Sequence, residues 1–173
     1  TSNAPSNTPK ETSIFANTVG SHIRTVYNDV SVTVNNIHYE NTQSGGYRIA
    51  GGANINLAAT TDGTATDQSI RVSQGTHEFQ THVQLQNDTS VNVASGAILE
   101  FDNLLSLNGN SLTKTGTGQL RINNDLVTNG GTVSVTAGGL GGEGVIAGDV
   151  INRGGAIAPG GAGRLFAPFP RPP

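Results

Sequence analysis

The stretch "GEGVIAGDVINRGGAIAPGG", Gly142 to Gly161, sets two short apolar runs between glycines that recur every few residues. A Gly-rich loop that serves catalysis delivers a lysine, a serine or a helix N-terminus to a ligand. This one delivers none of them. Its glycines therefore read as architecture, places where the backbone turns sharply or passes close to another backbone.

Outward from that stretch the same texture continues. The runs "VSVTV" (30–34), "ANINL" (53–57), "HEFQTHVQL" (77–85), "TSVNV" (89–93), "AILEF" (97–101), "QLRI" (119–122) and "TVSV" (132–135) alternate apolar with small polar residues. Such alternation predicts strands with one buried and one wet face. Between them lie "SGG", "SQGT", "ASGA", "NGN", "TGTG", "NGG" and "AGG", where Gly and Asn take positive φ at little cost. No window of a dozen residues repeats apolar positions at helical spacing without a Gly or Asn-Gly break.

The 173 residues suffice for one domain with a real core or one elongated repeat structure. Only 12% are charged, against about a quarter in typical globular chains, and Thr, Asn and Ser supply most of the polar surface. With 9 Lys+Arg against 12 Asp+Glu, there is no basic stripe to neutralise phosphates, which excludes nucleic acid and an anionic membrane surface as partners. No apolar run has the length of a membrane span, and the chain, which begins at Thr1, reads as a processed or excised product. Absence of Cys removes disulfides and thiolate chemistry together.

Short strands with tight turns build a sandwich, a barrel or a solenoid. Aromatics at 5% would hardly fill a sandwich core about 10 Å thick. The 13 of 24 glycines that fall between Gly130 and Gly163 suit a narrow stacked interior instead. The expected fold is all-β, a single-stranded right-handed parallel β-helix with extended N- and C-terminal tails; a β-sandwich or jelly roll is the alternative. Residues 1–17 are expected as an N-terminal arm, 18–163 as the solenoid and 164–173 as a Pro-rich tail. Val91, Val93, Ile98, Leu107, Leu120, Ile122, Val133, Val135, Val145 and Ile157 are expected inside, with Asn residues stacked as ladders at the corners.

At "SLTKTGTGQLRI" (111–122) and "GGTVSVTAGGLGGEGVIAGDVINRGGAIAPG" (130–160) the chain resembles the autotransporter-associated β-strand repeat proteins, secreted bacterial β-solenoids, and their relatives in large planctomycete surface proteins. Leu112 to Leu120 fit the family's "LTKTGxGxL", and 130–160 fit its closing coil over nearly their whole length. The stretch 30–57 is similar to the opening coil of such proteins. The resemblance spans roughly residues 12 to 163 and implies an extracellular scaffold, stalk or passenger with no catalytic residues to carry over. The family's coils usually continue after "APG", whereas here "RLFAPFPRPP" follows.

Candidate chemistry is sparse. "HEFQTH" (77–82) is a near miss of the zinc-protease helix motif, but His77 and His82 are five apart in a strand-like segment and so face opposite ways. They read as solvated strand histidines. "GGLGGEGVI" (138–146) carries Glu143 where the calcium nonapeptide has Asp, and Asp62 and Asp67 share a loop without the remaining ligands of an EF-hand. Glu100, Asp102, Asp125 and Asp149 read as lying singly in different coils, without the paired wall of a glycan-cleaving enzyme. "NDT" (87–89) is an N-glycan acceptor pattern at Asn87 and reads as unmodified.

The expectations are accordingly no enzyme, no cofactor, no metal and no catalytic group. The function expected is a structural, self-assembling subunit of a filament or surface layer, secreted or on a cell surface, whose partners are copies of itself. Its tails, through Ile14, Phe15, Leu165, Phe166, Phe169 and Pro170, would complete a neighbour. The alternative is a carbohydrate-binding or adhesive stalk module of a larger surface protein, with a cell-surface polysaccharide as partner.

Overall fold

The computed structural model describes residues 12–16, 19–59 and 69–160. Over these the chain winds in coils of three short strands. The first coil runs β1 (Thr12–Phe15), β2 (Ile23–Tyr27) and β3 (Val32–Val34), and the second β4 (Asn36–Tyr39), β5 (Gly46–Ala50) and β6 (Ile55–Leu57). The third runs β7 (Ile70–Val72), β8 (Thr76–Gln80) and β9 (Val83–Leu85), and the fourth β10 (Thr89–Val93), β11 (Ile98–Phe101) and β12 (Leu105–Ser106). Then follow β13 (Leu112–Thr115), β14 (Gln119–Ile122), β15 (Leu126–Val135), β16 (Gly139–Gly142), β17 (Ile146–Asn152) and β18 (Ala156–Pro159).

Every strand pairs in parallel with its equivalent one coil away, so the fold is a parallel β-helix and not a sandwich of antiparallel sheets. Three faces result. The first stacks β1, β4, β7, β10 and β13; the second β2, β5, β8, β11, β14, β16 and β18; the third β3, β6, β9 and β12. The long strands β15 and β17 round a corner and belong to both the third face and the first, with a register shift between Val127 and Thr132. Residues Thr12–Phe15, expected in the arm, are thus a strand of the first face, in register with Asn36–Tyr39.

Because parallel register holds, each inward residue lies on its equivalent in the next coil, and columns form through the interior. One runs Ile49, Phe79, Phe101, Ile122, with the Phe79 and Phe101 rings stacked at 4.9 Å. Another runs His77, Leu99, Leu120, Leu140, Ile157. Val91, Val93, Leu107, Leu120, Ile122, Val133 and Val135 are buried, as the alternation predicts.

Three expected interior residues differ. Ile98 faces outward between Thr76 and Gln119, while Ala97, Leu99 and Phe101 take the inside. Glu100 carries the signal that reading missed, since a carboxylate two residues on shares the side of Ile98. Val145 is 63% exposed. Ile157 does point at Leu140 but stays 43% exposed, because no described residue lies on its far side.

The coils tighten along the chain: stacked equivalents lie 23 residues apart at Val91 and Lys114 but only 17 apart at Val135 and Asn152. The Phe101–Ile122 column leads to Gly142, where an added Cβ would overlap the Ile122 carbonyl oxygen. Only glycine fits so close an approach at a φ of 119°.

Corners are stitched by side chains, though not as Asn-on-Asn ladders. Where the second face turns into the third, Thr81 donates to the Ala53 carbonyl, Asn103 to Gln80 at 3.1 Å and Asn124 to Asp102 at 3.4 Å. Each side chain reaches a backbone carbonyl of the coil before it.

Candidate functional site

On the outer side of the second face, register places four charged residues in one row, Arg48, Glu78, Glu100 and Arg121. Strands in a parallel sheet lie about 4.8 Å apart, so the two glutamates are forced together. The arginines answer them from either side. Arg48 donates to both Glu78 oxygens at 2.6 and 3.1 Å, and Arg121 to Glu100 at 2.8 Å. Gln80 adds a third donor to Glu78 at 3.2 Å. Asp102 stands one outward position beyond Glu100 and accepts from Asn123 at 2.7 Å.

Carboxylate oxygens of Glu78, Glu100 and Asp102 all lie within 4.8 Å of one another. This corrects the expectation that Glu100 and Asp102 lie apart from other acids. Sequence reasoning missed the cluster because its members come from two strands, Glu78 on β8 and Glu100 on β11, with Asp102 just beyond the latter. Two guanidinium groups and two amides already occupy these carboxylates, and the glutamate side chains are only 13% and 14% exposed. The row behaves as a charge-balanced brace across four coils.

On the third face, His82 Nε2 lies 2.9 Å from the Ser106 hydroxyl, and the Gln84 amide nitrogen lies 3.4 Å from His82 Nδ1. A Gln amide donates, so Nδ1 accepts and Nε2 carries the proton. With that tautomer His82 donates to Ser106 rather than taking its proton, the reverse of a nucleophile–base pair. Burial lowers the His82 pKa and favours this neutral form.

The two histidines do face different ways, but His77 is not solvated. It is wholly buried, stacked at 4.0 Å on Tyr39. The signal was parity, since His77 sits two residues from the inward Phe79. Lys114 follows the same rule beside Leu112: it occupies the interior column between Val91 and Val135 with no exposed surface. Its ammonium donates to the carbonyls of Thr115, Gly116 and Ala137 at 2.6, 2.8 and 3.3 Å, tying two coils, and desolvation draws its pKa down to about 8.

The remaining candidate is the pair of open ends. β1, β2 and β3 each have one neighbouring strand, as does β18, so both ends present unpaired strand edges among the described residues. Ile23, Val26, Tyr27 and Val30 are exposed at the N-terminal end, Val145, Ile151 and Ile157 at the C-terminal end.

No family model, curated protein or solved structure matches the chain.

Of the expected assembly residues, Ile14 is 57% exposed beside His38 on the outer side of the first face. Phe15 instead plugs the interior, its ring 5.0 Å from those of both Tyr39 and Tyr47. Leu165, Phe166, Phe169 and Pro170 lie outside the described residues, as do Asp62 and Asp67. Glu143 is exposed on a turn, and the Asn87 amide donates to the Ala59 carbonyl at 2.7 Å.

Proposed function

We propose that this chain is a structural, non-enzymatic β-solenoid of a secreted or cell-surface assembly, which stacks end-on with copies of itself into a filament or layer. The observation that carries this reading is the state of the two ends: exposed apolar residues, Val26 and Ile157 among them in inward columns, beside strand edges that have no partner strand among the described residues. An exposed edge of that kind is a template for another strand. Contacts between unlike ends that do not close generate a linear array. Burying such side chains contributes roughly 1.5–3 kcal/mol each before the cost of association. The resemblance of residues 112–120 and 130–160 to secreted bacterial solenoid repeats supports the same setting.

The tightening of the coils favours a second reading, an adhesive or carbohydrate-binding stalk module, because a narrow end matches a wide one imperfectly. Light scattering and negative-stain imaging over a concentration series separate the two. Stacking predicts rods that lengthen with concentration. Val26→Asp and Ile157→Asp should each be monomeric alone, since each spoils one end, and should form only a one-to-one dimer when mixed. A monomer at every concentration would overturn the stacking reading in favour of the stalk.

A further inference from the structure

We propose that His77 is an acid-sensitive latch that fastens the first two coils, β1 to β6, to the rest of the solenoid. The ring stands on the inner side of β8. Its Nδ1 lies 3.1 Å from the backbone nitrogen of Tyr47 on β5, and its Nε2 lies 2.9 Å from the Gln74 carbonyl. A carbonyl only accepts and an amide N–H only donates, so these two contacts admit the neutral ring protonated at Nε2 and no other form. The Tyr47 contact crosses between coils at a place where the β5–β8 ladder has not yet begun, since its register starts at Arg48. The imidazole thus does there what a backbone carbonyl does elsewhere. Its ring also stacks on those of Tyr39 and Tyr47, from β4 and β5, with centroids 4.0 and 6.1 Å away.

Protonation places a second N–H on Nδ1, pointed at the Tyr47 N–H. The bond between coils is lost and a charge is left in an apolar interior. No described residue supplies a counter-charge. The groups that face the ring are Tyr39 of β4, Tyr47 of β5 and Leu99 of β11. Arg48, Glu78 and Glu100 stand on the outer side of the second face, and His38 and the Arg71–Glu40 pair on the outer side of the first. Lys114, deeper in the interior, is itself a cation.

Burial lowers the pKa of His77. The unfolded or opened chain therefore takes up the proton more readily than the closed one, so the latch is fully effective above about pH 6.5 and weakens as pH falls below it. In a solenoid each coil touches only its neighbours, so the loss is local. The first two coils open and uncover the edges of β7, β8 and β9.

The test is an NMR titration of the labelled full chain from neutral to mildly acid pH, following the His77 ring nitrogens and amide exchange. His77 is expected to hold its Nε2–H tautomer as the pH first falls below about 6.5. As it protonates, amides of β2 and β5 should exchange about tenfold faster or more while those of β14 keep their protection. His77→Leu, which continues the Leu99, Leu120, Leu140 column, should keep β2 and β5 protected through the same range. Protection of β2 and β5 that survives His77 protonation, loss of β14 protection in the same step, or acid opening in His77→Leu as in the parent would each overturn the latch. Should His77→Leu fail to fold, the titration of the parent chain decides alone.

Discussion

At the scale of single residues, two of the polar side chains in the interior, Lys114 and Tyr39, carry costs that differ in kind. Lys114 is held by three carbonyls and no carboxylate, and its pKa is drawn down to about 8. The unfolded chain, with an ordinary lysine near 10.4, binds that proton more tightly, so stability should rise as pH climbs from 8 toward 10. In urea melts across that range, Lys114→Met should abolish the rise; an unchanged slope in the variant would assign it to other groups. Tyr39 is wholly buried, its hydroxyl has no partner among the described residues, and burial pushes its pKa far up. An orphan buried hydroxyl costs free energy, so Tyr39→Phe should leave stability unchanged or raise it by about 1 kcal/mol. A loss of more than about 1 kcal/mol, measured the same way, would mean that the hydroxyl has a partner.

At the scale of the element, a strand of four or five residues has only parity to orient it. β11 shows how parity is resolved: with Ile98, Leu99 and Phe101 all apolar, the chain buries the pair that stacks on His77 and Phe79 below and on Leu120 and Ile122 above. Leu99→Ala should therefore cost about 2–5 kcal/mol and Ile98→Thr no more than about 0.5 kcal/mol. Equal costs in thermal denaturation would place both on the same footing and contradict the register. Corners are as specific as strands. Gly116 turns the chain at φ 71°, and an added Cβ there would overlap the Val93 carbonyl oxygen one coil away. The glycine serves the turn and the close approach of coils together.

At the scale of the molecule, stability is nearly one-dimensional, because columns and ladders join only adjacent coils. Removing β17 and β18 by ending the chain after Gly142 should leave the remaining coils folded, with a parallel-sheet circular dichroism spectrum and a melting point lower by only about 10 °C or less. Collapse of the whole spectrum would show long-range cooperativity that the stacking does not contain. The charged row on the second face works at this same scale, since Arg48, Glu78, Glu100 and Arg121 come from four coils and are neighbours only because the coils are in register.

What the sequence by itself determined is the local alphabet: period-two alternation, Gly- and Asn-rich turns and an interior too poor in aromatics for a sandwich, which together specify strands that must stack. Those properties depend on backbone sterics and on the nearest neighbours along the chain, so they can be read residue by residue. Tertiary structure alone decided which residues meet across coils. The burial of His77 and Lys114, the gathering of Glu78, Glu100 and Asp102, the outward turn of Ile98 and the entry of Phe15 into the core all depend on coil length. Coil length is set by the sum of several turns, and an error of one residue in any of them moves every later side chain to the opposite side of its sheet.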